Sequence, residues 1–155
     1  MEIEKKFLIQ SLKDVPGNIS DYDYHDLEQG YLNTEPVVRV RKEDDEYYLT
    51  YKGSGMLVRE EYNLPLTKES YQHLIKKSDG IVIKKRRHLI PLENNLLCEL
   101  DEFHGKYEGL LLAEVEFSSE EEANAFVPPA WFDTEVTFDP RYHNSNMSRA
   151  EIASV

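Results

Sequence analysis

Most of this sequence alternates between apolar and polar residues, and this period of two limits the fold more than any other feature. Successive side chains of a β-strand point to opposite faces, so the alternation is typical of strands. It predicts eight strands separated by short turns, at residues 2–10, 26–33, 36–43, 46–52, 57–65, 81–91, 96–104 and 109–118.

Helical spacing is confined to short stretches. Residues 67–79 begin at a Thr67 N-cap, and residues 119–127 begin with a Ser-Glu-Glu-Glu run that fits a capping box. The tail after Asp139-Pro140 is predicted to add one more short helix. Eight strands with so few helices predict a mainly β (α+β) fold, as an antiparallel barrel or a strongly curved sheet.

The composition is that of one folded domain over residues 1–155, with 40% hydrophobic and 31% charged residues. A formal net charge of −12 argues against nucleic acid or a membrane surface as the partner, because anionic partners require a basic surface. The single cysteine, Cys98, excludes an internal disulfide framework. No apolar run approaches the roughly 20 residues of a membrane helix, and the opening MEIEKK is unlike a secretory signal. We therefore predict a cytoplasmic protein.

Charged residues alternate along one face of several predicted strands, and they are segregated by sign. The basic set is Arg39, Arg41, Lys52, Lys85 and Arg87, and the acidic set is Glu2, Glu4, Glu99, Asp101, Glu114 and Glu116. Any one of these strands could be the solvated face of an antiparallel sheet. Together, in a strongly acidic chain, they favour strands that close with the charged faces inward around one cavity.

Such a cavity requires a partner, because buried charges are costly unless they are paired or bind an ion. Clustered arginine and lysine side chains suit a polyphosphate, whose oxygens accept forked hydrogen bonds from guanidinium groups. Clustered carboxylates without histidine or cysteine at ligand spacing suit a hard cation such as Mg²⁺ or Mn²⁺. The residues therefore predict a metal-dependent site for a linear polyphosphate or a nucleotide.

The N-terminal Glu2-x-Glu4-x-Lys6 resembles the E-x-E-x-K signature of the CYTH superfamily, the triphosphate tunnel metalloenzymes. Further motifs of the family follow in order along the chain: Arg39-x-Arg41, Lys52-Gly53, Arg59-Glu60-Glu61, Lys85-x-Arg87, Glu99-x-Asp101 and the segment from Gly109 to Phe117. The resemblance extends from residue 1 to about residue 149. It is greatest to small bacterial members of the family.

This resemblance implies a closed eight-stranded antiparallel tunnel that holds a triphosphate and divalent metal ions. Its phosphate-binding residues would be Lys6, Arg39, Arg41, Lys52, Lys85 and Arg87. Its metal ligands would be Glu2, Glu4, Glu114 and Glu116, with Glu61 and Asp101 assisting, so that Glu2, Glu4, Lys6, Glu61 and Asp101 form the catalytic set. Asn63 departs from members that carry an acidic residue at that position. Arg141, Tyr142 and Asn144 are candidates to close one mouth of the tunnel.

The resulting hypothesis is a divalent-metal-dependent hydrolase that converts inorganic tripolyphosphate into pyrophosphate and orthophosphate. Three alternatives use the same tunnel: a class IV adenylate cyclase, a thiamine triphosphatase and a non-catalytic polyphosphate-binding module. The presence of both the cationic and the carboxylate sets favours catalysis over binding alone. The sequence leaves the choice between Mg²⁺ and Mn²⁺ open, and likewise the choice between a monomer and a homodimer.

Overall fold

The structure, a computed structural model, describes residues 2–149. Within this range nine strands form one antiparallel sheet. The strands are β1 (Glu2–Leu8), β2 (Tyr24–Thr34), β3 (Val37–Glu43), β4 (Glu46–Lys52), β5 (Val58–Arg59), β6 (Glu61–Pro65), β7 (Asp79–Pro91), β8 (Leu97–Phe103) and β9 (Leu111–Glu116). The helices are α1 (Lys68–Ile75), α2 (Glu120–Ala125) and α3 (Asn144–Met147). The predicted single domain also includes residues 150–155, which lie outside the described part.

The sheet closes into a barrel at β5 and β6, two successive strands that pair with different neighbours. Its order is β5-β1-β9-β8-β7-β2-β3-β4-β6, so the two ends of the sheet are consecutive in the chain and separated only by Glu60. Arg59 pairs with Glu2 of β1, whereas Glu61 pairs with Lys52 of β4. The predicted single strand 57–65 is therefore two strands in the structure, because its hydrogen-bonding partner changes at Glu60. This raises the count from the predicted eight strands to nine and confirms the antiparallel barrel.

Along β1 and β3 the inward-facing residues change from charged to apolar. On β1 the charged Glu2 lies at one end of the inward face and Leu8 at the other. On β3 the charged end carries Arg41 and the apolar end carries Val37. The apolar ends of the strands meet in one buried cluster, formed by Tyr31, Val37, Ile83, Phe103, Tyr107, Leu110, Leu112, Val136, Tyr142 and Met147. The barrel is therefore filled by side chains at one end and polar at the other.

The C-terminal segment seals the filled end. It pairs with β1, where Val136 N donates to Lys6 O at 2.8 Å, and with β7, where Ile81 N donates to Ser148 O at 2.6 Å. Gly80 has a φ of +67°, and a Cβ at this position would lie 2.1 Å from Ser148 O. Only glycine therefore lets the segment pass so close to β7. Met147 of α3 is fully buried in the apolar cluster.

A second core lies outside the barrel, on the outward faces of β1, β7, β8 and β9. Phe7, Cys98 and Val115 are among its buried residues, and α2 and Phe132 pack over them. The outward position of Cys98 agrees with the prediction that its thiol points away from the charged face. Burial raises the pKa of this thiol far above its ordinary value, so it behaves as a small apolar core residue.

Helix α1 covers part of the opposite outer face, against β2, β3 and β4. Thr67 is its N-cap, since the Thr67 Oγ1 atom accepts a hydrogen bond from Ser70 N at 3.0 Å. The helix ends at Ile75 and not at residue 79 as predicted, because β7 begins at Asp79. Among the described helices, none is long and apolar enough to cross a lipid bilayer.

Candidate active site

The polar half of the barrel contains a cavity of about 430 Å³ that is open to solvent near Glu116. Ten of the twelve predicted site residues line it: Glu2, Glu4, Lys6, Arg39, Arg41, Lys52, Glu61, Arg87, Glu114 and Glu116. Six different strands supply these side chains, because each strand contributes alternate residues to the inward face. Glu116 is exposed at the mouth, whereas Lys6 lies deep in the cavity with 4% of its surface exposed.

The other two predicted residues, Lys85 and Asp101, lie behind the cavity wall with their side chains fully buried. Lys85 Nζ is 2.7 Å from Asp101 Oδ2 and donates to Asn144 Oδ1 at 3.1 Å. Asp101 also accepts two hydrogen bonds from Arg87, at 2.8 and 3.0 Å. Burial, with repulsion from Arg87, lowers the pKa of Lys85 to about 7 although Asp101 opposes this. Lys85 thus supports Asp101 from behind, and Arg87 is the member of this network that reaches the cavity.

The β3 wall differs from the rest because its arginines have uncharged partners. Arg39 donates through Nη2 to Thr50 Oγ1 at 3.2 Å, and Arg41 donates to Gln29 Oε1 at 2.8 Å from Nε and 2.6 Å from Nη2. Neither arginine forms an ion pair with a described carboxylate, and Arg39 Nε is buried without a hydrogen-bond partner. Burial, followed by repulsion from Arg39 and Arg87, lowers the pKa of Arg41 to about 9, so it remains protonated at neutral pH.

On the strands that follow β3 around the barrel, Lys52 of β4 and Glu61 of β6 form one ionic group with Glu2 of β1. Lys52 Nζ lies 3.0 Å from Glu2 Oε1 and 3.3 Å from Glu61 Oε2. Burial, a hydrogen bond with Glu61 and repulsion from Glu4 raise the pKa of Glu2 to about 8. Burial would also raise the pKa of Glu61, but the hydrogen bond with Glu2 and the Lys52 charge outweigh it and lower that pKa to about 2. The hydrogen bond between the two carboxyl groups therefore shifts their pKa values in opposite directions, upward for Glu2 and downward for Glu61.

Deeper in the cavity, Glu4 and Glu114 repel each other. Burial and the Glu114 charge raise the pKa of Glu4. Glu114 lies 3.8 Å from Lys6 Nζ and 3.6 Å from Arg87 Nη2, and these cations lower its pKa well below the ordinary value although burial opposes them. Nearer the mouth, burial and repulsion from Glu61, Glu99 and Glu4 raise the pKa of Glu116. Several carboxylates thus crowd one side of the cavity without enough positive charge to compensate them.

A divalent cation would relieve this crowding, since carboxylate oxygens are the ligands of hard cations and a cation favours their ionised form. Glu4, Glu114 and Glu116 have the donor chemistry for this role, with Glu2 beside them. Within residues 2–149, however, no three His, Cys, Asp or Glu side chains are grouped closely enough to form a metal site on their own. The residues present fit a cation that takes its remaining ligands from substrate or water.

The sequence prediction missed several residues that line the cavity or support it. Thr50 and Gln29 hold the two arginines of β3, and Asn63 accepts a hydrogen bond from Thr50 Oγ1 and donates to Glu61 Oε1 at 2.9 Å. Arg59 reaches Glu2 Oε1 at 3.5 Å. The signal that could have found Gln29 is its position, two residues before the inward-facing Tyr31 on the same strand. Gln29 carries no charge, so the pattern of alternating charged residues does not identify it.

A nearly closed antiparallel barrel around a charged cavity defines this protein as a β-tunnel protein. The chain belongs to the CYTH domain family, whose model matches residues 1–128.

Two bacterial proteins named inorganic triphosphatase are similar to this chain over nearly its whole length. The one from Nitrosomonas europaea is 38% identical over 150 residues, covering 95% of this chain and 96% of that protein. The one from Acetivibrio thermocellus is 37% identical over 155 residues, covering 94% of this chain and 92% of that protein. A crystal structure of an inorganic triphosphatase superposes with a TM-score of 0.70 at 35% identity, covering 100% of this chain and 96% of the other.

Proposed function

We propose that this protein hydrolyses inorganic tripolyphosphate to pyrophosphate and orthophosphate with the help of a divalent cation. One observation carries the proposal: Arg39, which is buried, and Arg41, which is half-buried, line the cavity without an ion pair to any described carboxylate. A buried guanidinium group without a counter-charge is costly, and a polyanion in the cavity would supply that charge. The two relatives named inorganic triphosphatase support the same substrate class.

The cationic side chains would contribute differently to phosphate binding, because the fold gives them different partners. Arg39 and Arg41 keep their full charge for the phosphate oxygens, because their own partners are a hydroxyl and an amide. Lys6, Lys52 and Arg87 are already paired with carboxylates, so they contribute to the phosphates while holding those carboxylates in place. Five cations from four strands around one cavity suit the several negative charges of a linear triphosphate.

The carboxylates supply the other half of the chemistry. We propose Glu2, Glu4, Glu114 and Glu116 as the residues that hold Mg²⁺ or Mn²⁺, assisted by Glu61. When bound, such a cation neutralises phosphate charge and orients a water molecule toward phosphorus. The carboxylates also repel a free anion, so the substrate enters productively only when they are neutralised. No protein nucleophile is needed, since positioning and charge neutralisation account for most of the catalysis of phosphoryl transfer.

Adenylate cyclase and thiamine triphosphatase remain weaker candidates, because nothing in the cavity favours a particular organic group beyond the triphosphate. The cavity lining is almost wholly polar and charged, and Tyr31, Val37 and Tyr48 are its exceptions. A base or thiamine ring would require an apolar contact surface. A non-catalytic binding module would not need the crowded carboxylates of the opposite wall.

The purified protein should be incubated with tripolyphosphate, ATP or thiamine triphosphate, in the presence of Mg²⁺, Mn²⁺ or EDTA, and the products identified. We expect metal-dependent release of phosphate that is fastest from tripolyphosphate and absent with EDTA. Cyclic AMP as the main product from ATP would replace this proposal with a cyclase. Binding of tripolyphosphate without turnover under every metal condition would make the protein a binding module.

A further inference from the structure

Gln29 is a fully buried, uncharged side chain on the inward face of β2. Its Oε1 atom accepts two hydrogen bonds from Arg41, at 2.8 Å from Nε and 2.6 Å from Nη2. Its Nε2 atom donates to the Tyr31 hydroxyl at 3.3 Å. Both functional groups of the amide are therefore used, and its orientation in the wall is determined.

The bonds from Nε and Nη2 of Arg41 converge on one oxygen, and together they hold one edge of its guanidinium group. In proteins this edge is usually held by a carboxylate, and Arg87 shows that arrangement here, with Asp101 accepting from Nε and Nη2 at 2.8 and 3.0 Å. Gln29 therefore holds the same edge of Arg41 that Asp101 holds on Arg87, but through a single oxygen and without a negative charge. The orientation of Arg41 is retained, and its charge remains uncompensated by the protein.

We infer that Gln29 is a positioning residue that orients Arg41 for the triphosphate while leaving its charge available. This inference rests on the proposed function, because it assigns the free charge of Arg41 to an anionic substrate. It explains why a fully buried position beside an arginine carries an amide, when a carboxylate of the same size would make the stronger partner. Binding of the polyanion depends on that difference of one charge.

The decisive substitution is Gln29→Glu, which keeps the size and both acceptor bonds but adds the missing charge. We expect KM for tripolyphosphate to rise at least tenfold with kcat within about threefold of the wild type, because the change removes binding to substrate and transition state alike. Gln72→Glu is the matched control: it makes the same substitution on the exposed surface of α1. It should leave both constants unchanged.

A second measurement separates positioning from a general effect on folding. Gln29→Leu removes both bonds without adding charge, and we expect KM to rise about three- to tenfold. In an Arg41→Leu background the same Gln29→Leu change should have little further effect on KM, since Gln29 would have no guanidinium group to orient. Thermal unfolding of each variant shows whether it is folded under the assay conditions.

The outcomes separate this inference from the proposed function. Failure of the wild type to hydrolyse tripolyphosphate would contradict the proposed function itself. If the wild type is active, a folded Gln29→Glu variant with an unchanged KM would contradict the inference alone. Equal effects of Gln29→Leu in the presence and absence of Arg41 would also contradict it, because they would assign the loss to packing of the β2 wall.

Discussion

The charged residues of the cavity differ from one another in the partners that the fold gives them. Lys52, Lys6 and Arg87 each face at least one carboxylate, whereas Arg39 and Arg41 face a hydroxyl and an amide. A guanidinium group without a buried counter-charge gains most when a polyanion binds, since the polyanion supplies the missing partner. At the scale of residues, the β3 arginines should therefore dominate affinity.

We expect Arg39→Ala to raise KM for tripolyphosphate about ten- to hundredfold, because a charge-assisted hydrogen bond contributes roughly 1.5–3 kcal/mol. Steady-state kinetics over a range of substrate concentrations measures this. Lys42→Ala is the control, since Lys42 is the exposed residue on the outward face of the same strand. An unchanged KM in a folded Arg39→Ala variant would remove Arg39 from the binding site.

Glu4 should affect turnover more than binding. We expect Glu4→Gln to lower kcat at least a hundredfold while tripolyphosphate still binds, because the change removes a charge that would hold the cation and leaves the arginines intact. Calorimetric titration of the variant with tripolyphosphate, beside a rate assay, separates the two effects. Glu108→Gln, at an exposed turn, is the control. Normal turnover in Glu4→Gln would exclude Glu4 as a metal ligand.

Sequence reasoning located most of the cavity because alternation in a strand directly determines which side chains share a face. Ten of the twelve predicted residues line one cavity, but alternation could not indicate that Lys85 and Asp101 lie behind its wall. Both residues occupy inward positions by alternation. Their depth depends on how the C-terminal segment packs, and on Asn144 in particular, which a pattern of period two cannot reveal.

At the scale of elements, the chain around Glu60 shows that alternation predicts a strand but not its pairing partner. Residues 57–65 are predicted to form one strand because the alternation continues through them. In the structure the chain does continue without a turn from β5 to β6. What changes is the neighbour: β5 pairs with β1, and β6 pairs with β4. Strand pairing is a long-range property, so the change at Glu60 leaves no local signal in the sequence.

Strand β2 is also linked to the turn that follows β3, through His25 and Asp44. His25 Nδ1 lies 2.6 Å from Asp44 Oδ2, and this hydrogen bond raises the pKa of His25 above its ordinary 6.5. A backbone hydrogen bond from Asp26, and then His25, lower the pKa of Asp44 below 3.8. The pair therefore stabilises the fold fully only below about pH 6.5, and this contribution is lost as pH rises through the raised pKa of His25.

We expect His25→Asn to lower the Tm by a small amount at pH 5.5 and to have almost no effect at pH 9. The effect is small because both side chains are substantially exposed and solvent screens the pair. Thermal unfolding of wild type and variant across this range measures it. His73→Asn, on the exposed surface of α1, controls for the loss of a histidine. A Tm difference that grows toward pH 9 would contradict the assignment.

At the scale of the whole molecule, the barrel interior combines two environments that usually belong to different parts of a protein. One half is a charged cavity, and the other is an apolar core that includes the C-terminal segment. The sequence predicted this segment as a candidate closure through Arg141, Tyr142 and Asn144. Tyr142 and Asn144 do lie at the sealed end, whereas Arg141 is exposed and pairs with Asp139 at 2.7 Å. The cytoplasmic location and the choice of monomer or homodimer stay predictions.

Met147 should be essential to this closure. We expect Met147→Ala to lower the free energy of unfolding by about 2–4 kcal/mol, because it leaves a cavity in a core where Met147 is fully buried. Urea denaturation followed by fluorescence measures the change. Met56→Ala, at a side chain that is 42% exposed, is the control and should cost little. Equal stabilities of the two variants would mean that the segment is not anchored through Met147.

The sealed end also determines the order in which reaction products can depart. A molecule that enters a passage with one opening must leave through that opening, so cleavage leaves one product behind the other. The outer product departs first, and the inner one blocks new substrate until it follows. Inhibition should accordingly be competitive for the inner product and noncompetitive for the outer one. We therefore expect the tail segment, by sealing one end of the barrel, to give hydrolysis a fixed order of product release.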